Sequence, residues 1–178
     1  MARFVDRLVG AARLDAKTYE EIEADPTAMG QAMAVVAAAA LASGVGSFGS
    51  GATMAAGAVV AGFVGWFVWA LVTWLVGTKL LPEPGTSADL GQMLRTVGFS
   101  AAPGVLNVLG IVPVLGWIAW LVAAVWQLAA MVVAVRQALD YRSTGRAVLV
   151  CFIGWVVYVA ASLGFALVMG IGSVMMGG

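Results

Sequence analysis

Apolar residues run along this chain in long uninterrupted stretches, and ionisable residues occur only in the gaps between them. Pro26 to Thr78, Thr96 to Val135 and Ala147 to Gly178 contain no Asp, Glu, Lys or Arg. A helix crosses the hydrocarbon layer of a bilayer in about 20 residues, at about 1.5 Å each. The first stretch therefore holds two crossings, the second holds one and the deep part of another, and the third holds one more. The pattern predicts an all-α fold, a polytopic membrane bundle of five transmembrane helices over roughly 28–48, 52–77, 90–109, 113–136 and 147–174.

The residues ahead of the first crossing behave differently. Over residues 3–14, Phe4, Val5, Leu8, Val9 and Ala12 share one helical face while Arg3, Asp6, Arg7 and Arg13 lie elsewhere, which predicts an N-terminal amphipathic helix. Such a helix either lies in the headgroup layer or caps the protein's own inner loops. Thr18 followed by Glu21 has capping-box spacing and predicts a short second helix. Asp25-Pro26 reads as an N-cap with proline at the first helical position of the first crossing. The chain thus divides into a cytoplasmic segment, 1–25, and a transmembrane domain, 26–178.

Composition agrees with a bilayer rather than water as the solvent. Hydrophobic residues make up 62% of the chain and charged residues 10%, against about 45–50% and about 25% in soluble domains. Nine basic and nine acidic side chains cancel, so no net charge recruits nucleic acid. With no histidine and the single Cys151, the chain offers no His/Cys metal cluster, no internal disulfide and no Ser-His or Cys-His pair. No metal or other cofactor is expected. Cys151 reads as a small apolar filler.

Basic residues set orientation, because cytoplasmic loops carry the excess of Lys and Arg. With five crossings, Arg3, Arg7, Arg13, Lys17, Lys79, Arg95, Arg136, Arg142 and Arg146, all the basic residues of the chain, share one side. This places the N-terminus in the cytoplasm and the C-terminus outside, in the inner (cytoplasmic) membrane of a cell. A re-entrant third segment would instead carry the loop of Arg136, Arg142 and Arg146 to the other face.

Within the spans, small residues mark close packing, since helices in lipid associate where backbones can approach. The first crossing carries Ala34, Ala38 and Ala42 and the second Gly62 and Gly65, so the first is expected at the centre of the bundle. Trp66 and Trp69 are expected to face lipid or another subunit. The third segment is the most polar. At about 100° per residue, Gln92, Arg95, Thr96, Ser100, Pro103 and Asn107 fall on one side and Met93, Leu94, Val97, Ala101 and Val105 on the other. Polar atoms against lipid cost several kcal/mol each, of order 2 or more, so that stripe must face protein or water. Counted from the inner surface, Gln127 and Tyr158 lie at about the depth of Ser100 and Pro103, roughly 15 Å in. These residues are expected to meet, either satisfying one another or lining a cavity whose inner mouth is Arg95. Arg95 is also close enough to the boundary to snorkel or to pair with Asp89. No carboxylate lies in a span, which argues against proton- or sodium-driven transport through an acidic relay.

Particular strings carry a family resemblance. Tyr19-Glu-Glu-Ile-Glu-Ala-Asp-Pro-Thr-Ala28 with Gln31-Ala-Met-Ala-Val-Val36 resembles the N-terminal entry of bacterial Yip1-family membrane proteins. Leu94-Arg-Thr-Val-Gly-Phe-Ser-Ala-Ala-Pro103 is similar to that family's mid-chain signature, and Gln137-Ala-Leu-Asp-Tyr-Arg-Ser-Thr-Gly-Arg-Ala147 to the loop before its last helix. The resemblance implies five helices, a cytoplasmic N-terminus and a non-enzymatic role. Eukaryotic members bind small Rab-type GTPases and carry an Asp-Leu-Tyr-Gly-Pro motif ahead of the first crossing. That motif is missing ahead of the first crossing here, so no small-GTPase partner carries over. The expected function is that of a membrane organiser, scaffold or accessory subunit, with membrane lipids, other membrane proteins or a second copy of itself as partners. The alternative is a small channel or transport facilitator built on the polar stripe.

Overall fold

The computed structural model describes residues 2–176 of the chain. The side chains of Ala2, Pro113, Ser162 and residues 164–176 lie outside that description, and with them the distal part of the last expected span. The described residues form helices and no strand: α1 (Ala2–Ala12), α2 (Ala16–Ala24), α3 (Ala28–Gly46), α4 (Ala52–Leu75), α5 (Leu90–Ser100), α6 (Pro113–Ala138) and α7 (Thr144–Met176), with a 3-10 helix over Ala102–Ile111. α4 continues through a π-helical turn, Val76–Leu80. Tyr141 lies beside that wide turn, its hydroxyl 3.0 Å from the Gly77 carbonyl and 2.7 Å from that of Leu81.

The caps differ in detail from the sequence expectation. α2 starts earlier, with Asp15 as its N-cap accepting from the Lys17 amide and from the Thr18 hydroxyl; the Thr18 hydroxyl is thereby engaged as a donor to Asp15. α3 begins at Ala28 behind Thr27, and Asp25 instead accepts from the Thr27 amide and hydroxyl. α5 opens on a complete capping box, in which Asp89 accepts from the Gln92 amide and the Gln92 side chain accepts from the Asp89 amide.

Among the described residues four helices are long and apolar enough to cross a membrane, and α5 with the 3-10 helix forms a fifth candidate bent by 42°. The bent pair runs from one end of the bundle to the other. At its start Arg95 touches α2, which precedes α3; at its end Gly110 lies against Gly46, the last residue of α3. Eleven α-helical residues and ten 3-10 residues give about 16 Å and about 20 Å of rise, enough for about 30 Å of hydrocarbon. The ionisable side chains gather at the starting end: Arg146 pairs with Glu83 at 3.3 Å, the Arg142 amide donates to Glu83 at 3.0 Å, and Gln137 donates to Glu20 at 2.8 Å. The chain is an all-helical, multi-pass membrane bundle.

α3 is the most buried of the four long spans, and α5 is more enclosed still, with Met93 and every residue from Arg95 to Ser100 buried. The two-faced picture of the third segment is thereby corrected. Met93 and Val97, on its expected apolar side, are buried in the protein, and the 3-10 helix advances about 120° per residue, so a stripe drawn at 100° does not continue past Ser100. The close helix contacts also lie elsewhere along α3 than the first crossing's Ala34 and Ala38, which are exposed, although Ala42 is buried. A Cβ on Gly98 would come within 2.8 Å of the Ala32 Cβ, and one on Gly62 within 2.7 Å of the Ala40 Cβ. Cys151 is buried in the cluster that includes Ala70, Val135, Leu139 and Val150.

α1 and α2 fold back onto this bundle. Tyr19 and Ile22 are fully buried, Phe4 meets Phe99 edge to face at 6.3 Å, and the Trp126 indole donates to the Ala12 carbonyl at 2.8 Å. Phe4, Leu8 and Ala11 thus cap the protein, while Val5 and Val9 point outward beside exposed Arg3 and Arg13.

Candidate functional site

Two constellations use the polar residues of the third span. The first is a clamp where α2 meets α5. Arg95 is only 7% exposed; its Nε donates to the Ile22 carbonyl at 3.3 Å and its Nη2 to the Glu23 carbonyl. These are among the last carbonyls of α2, which no helical amide satisfies, and a cation suits the negative end of the helix dipole. Arg95 therefore neither reaches the headgroups nor pairs with Asp89. Gln92 adds a hydrogen bond from its Nε2 to Glu23 Oε1 at 2.8 Å. On the α1 side, Arg7 is 2% exposed, pairs with Asp25 at 2.7 Å and donates to Gln31 at 3.1 Å.

The electrostatics of the clamp follow from this crowding. Burial pushes the Glu23 carboxyl up to about 7, with Asp140, Glu20 and Asp89 adding to the rise and Arg95 opposing it. Hydrogen bonds from Thr27 and Arg7 hold the Asp25 carboxyl well below the usual range. For Glu23 the folded value lies above the ordinary 4.5, so the docked helix holds the proton more tightly than the released one. The stabilisation is complete below about pH 4.5 and is lost as pH rises through about 7. Hydrogen exchange in Ala16–Ala24, corrected for its intrinsic pH dependence, should be less protected at pH 8 than at pH 5.5. Glu23→Gln should flatten that difference.

The second constellation is a cavity of about 400 Å³ walled by the four long helices and the bent pair. Val36, Ala39, Ala40 and Ser43 come from α3; Ala61, Gly62, Gly65, Trp66 and Trp69 from α4; Val97 from α5; Ala101, Gly104 and Asn107 from the bent segment; Ala124, Gln127, Leu128 and Met131 from α6; Tyr158 from α7. The space exists because facing walls carry alanine and glycine. Gly65 has nothing within 4 Å of where a Cβ would stand, so it opens volume rather than bringing two helices together. Ala61, Leu128 and Tyr158 are exposed whereas Val36, Ala40, Val97 and Gly104 are buried. The cavity thus opens sideways, between α4 and the α6–α7 pair, partway along the helices.

The polar residues of the expected stripe distribute unevenly around this space. Gln92 and Arg95 belong to the clamp. The hydroxyls of Thr96 and Ser100 donate back to carbonyls of their own helix, at 3.1 Å and 2.7 Å, and Ser100 also lies 3.7 Å from the Met131 sulfur. Pro103 is buried and stands at the start of the 3-10 helix. Asn107, Gln127 and Tyr158 all line the cavity, with the Gln127 Oε1 3.6 Å from the place a Cβ on Gly104 would take. Asn107 donates to the Ser43 hydroxyl at 3.1 Å, but among the described residues its Oδ1 is buried without a partner, and so is the indole nitrogen of Trp69. Trp66 and Trp69 are half-buried within the bundle, not turned to lipid: the Trp66 indole donates to the Leu94 carbonyl at 3.1 Å, and Trp69 meets Tyr158 edge to face at 6.0 Å. Ser43 and Trp69 were not singled out from the sequence as site residues. Their signal was the same as that of Gln127, a hydrogen-bonding group well inside a charge-free stretch.

Among the described residues no group of three or more His, Cys, Asp or Glu could hold a metal ion. No curated protein matches the chain, and no solved structure does. The family model of the Yip1 domain matches residues 15–173. That match takes in α2, the helices and loops that follow it, and α7 as far as residue 173, and the chain therefore belongs to the Yip1-domain family of integral membrane proteins.

Proposed function

We propose that this protein is a non-enzymatic membrane organiser, a scaffold or accessory subunit that acts by binding partner membrane proteins, lipids or a second copy of itself. It would lie in the inner membrane with its N-terminus cytoplasmic and its C-terminus outside, since all basic residues belong to one end of a five-span bundle. The observation that carries the reading is the fastened N-terminal cap. Arg7, Gln92, Arg95 and Gln137 each hold α1 or α2 to the bundle or to one another, and Val5 and Val9 remain exposed beside Arg3 and Arg13. A rigid helix with an apolar edge and flanking cations suits attachment to an anionic membrane surface or to a protein at that surface.

The experiment is photo-crosslinking in native membranes from Val9 and from Trp117, an exposed residue of α6, together with sizing of reconstituted vesicles. Discrete protein adducts, including the chain with itself, or altered vesicle size are the expected results. If neither adducts nor altered vesicles were obtained, the organiser reading would fall. The second reading, a channel or facilitator, draws on the mid-span cavity. Against it stand the buried run Arg95–Ser100 toward one end and the backbone contact of Gly46 with Gly110 toward the other. Solute flux into vesicles carrying the protein should not exceed that into protein-free vesicles.

A further inference from the structure

We propose that α1 is an in-plane helix seated at the headgroup boundary of one leaflet, with Val5 and Val9 among the acyl chains, and that the bilayer is thinner beside α1 than beside α4 and α7.

α1 is held well up the spans. Phe4 meets Phe99 of α5, and the Ala12 carbonyl accepts from Trp126 of α6. Phe99 is nine residues from the start of α5, and Trp126 is twelve from the end of α6. Both of those termini are at the charged end of the bundle, where Gln92 and Gln137 reach α2. At about 1.5 Å per residue, α1 therefore stands about 14–18 Å from that end. It also touches the 3-10 helix that begins at Ala102. The two levels differ by about 4 Å, whereas Phe4 and Ala12 are about 12 Å apart along α1, so the helix runs across the spans and not along them.

The exposed arc of α1 is divided in a way that fits a boundary. α2, held through Arg95 and Gln137, lies between α1 and the charged end. A Cβ on Gly10 would run into Thr18 of α2, so Gly10 marks the side of α1 that faces that end. At about 100° per residue, Arg3, Asp6 and Arg13 lie within about 60° of Gly10, and Val5 and Val9 about 100–140° from it. All five are exposed. The ionised side chains thus border the charged end, and the valines face the middle of the spans. Asp6 constrains the level most, because its carboxylate has one methylene of reach and ionised groups in hydrocarbon are costly. Apolar residues on such a helix enter the acyl boundary. Trp126, 39% exposed, stands at the same level, where interfacial tryptophans concentrate.

The opposite side of the bundle places the boundary elsewhere. Arg146 pairs with Glu83 at the charged end, and exposed Val148 and Leu149 follow within one turn, then Phe152 at 59%. Val148 is four residues into α7, about 6 Å along it. A level boundary through α1 would leave these side chains in water, whereas one displaced by roughly 10 Å between the two sides accommodates both. From Trp126 to the start of α6 about 20 Å of helix remains, against about 30 Å for a full hydrocarbon layer. The membrane thins on the α1 side, a deformation of modest cost per ångström. The inference deepens the organiser reading by naming the lipid boundary as the partner of α1's exposed edge, and rests on it for treating that edge as a contact surface.

The test uses Arg3→Cys, Val5→Cys, Val9→Cys, Ser143→Cys and Val148→Cys, each nitroxide-labelled in a full-length Cys151→Ala chain. All five are exposed positions. The host is a vesicle of phosphatidylethanolamine and phosphatidylglycerol. Oxygen concentrates in hydrocarbon and a nickel chelate stays in water, so power saturation with each reports the side of the boundary. Labels at Val5→Cys, Val9→Cys and Val148→Cys should relax faster with oxygen, and those at Arg3→Cys and Ser143→Cys with nickel, a severalfold reversal on each side of the bundle. Nickel dominance at Val5→Cys and Val9→Cys would put α1 in water and overturn the proposal. Oxygen dominance at Arg3→Cys would submerge α1, and shielding of the valine labels from both reagents would cover that edge with protein; each has the same consequence. Nickel dominance at Val148→Cys would restore a level boundary and remove the thinning. Failed crosslinking from Trp117 with unchanged vesicle size would sink the organiser reading and leave the label pattern intact. Shielded valine labels with protein adducts from Val9 would do the reverse.

Discussion

Arg95→Met should release α1 and α2 from the bundle while leaving the spans folded. Methionine keeps most of the length and apolar stem of arginine but no donor. The carbonyls of Ile22 and Glu23 then lose the only side-chain donor recorded for them among the described residues, in a place where Arg95 itself is 7% exposed. Hydrogen bonds to a charged group contribute about 1.5–3 kcal/mol each, and orphaned buried carbonyls cost about 1–3 kcal/mol. Relief from burying the guanidinium offsets part of that loss, so the net weakening is about 3 kcal/mol, or roughly hundredfold in the docking equilibrium. The readouts are hydrogen exchange over Ala16–Ala24 and trypsin cleavage after Arg13 and Lys17, both of which should accelerate, with helix content by circular dichroism nearly unchanged. Arg95→Lys, with one point-like donor group in place of a fork, should fall between the two. Unchanged protection of Ala16–Ala24 in Arg95→Met would show that apolar contacts such as Tyr19 and Ile22 hold α2 by themselves.

The spans were legible because hydrocarbon tolerates so few alternatives. A charge-free stretch of suitable length in a chain this apolar has to be a helix, and the observed α3, α4 and α6 begin and end within a few residues of the expected bounds. What local periodicity could not show is the behaviour of the third span. Its α-helix stops at Ser100 and continues as a 3-10 helix, where Pro103 lacks an amide hydrogen and Gly104 packs against Ala39. From there the angular position of Asn107 is set by three residues per turn and not by 3.6.

The role of Arg95 was hidden for a different reason. From the sequence it lies near a membrane boundary, and snorkelling is the least costly fate for such a residue. Its true partners are backbone carbonyls of a helix more than seventy residues earlier, and only the folding back of α2 places them in reach. Depth counting does put Gln127 and Tyr158 at one level, and both line the cavity. The cavity itself depends on which small residues face one another across the bundle. Gly62 and Gly65 are three positions apart on α4, yet one touches Ala40 and the other faces open space.

That contrast between glycines leads to the second large effect, Gly46→Ala. A Cβ at Gly46 would stand 2.0 Å from the Asn107 carbonyl oxygen and 3.1 Å from its carbon, and one at Gly110 would stand 2.8 Å from the Gly46 oxygen. Neither neighbour is the end of a flexible side chain, so the clash is relieved only by moving α3 away from the 3-10 helix, which also strains the Asn107–Ser43 hydrogen bond. Overpacking of this kind costs about 1–3 kcal/mol or more, and the backbone contact puts Gly46 at the upper end. For a chain of this length about 3 kcal/mol corresponds to a fall of roughly 6–12 °C in Tm, measured in one detergent at one scan rate. Gly30→Ala and Gly57→Ala are the controls, since a Cβ there meets nothing within 4 Å. Both lie within helices, where alanine is favoured over glycine by about 1 kcal/mol, so their Tm should hold or rise. The same chemical change then has opposite signs at positions that are all glycine in charge-free helices, and the sign is decided by whether another backbone occupies the space. A Gly46→Ala protein as stable as the Gly30→Ala and Gly57→Ala controls would mean that α3 and the bent span do not meet at this point.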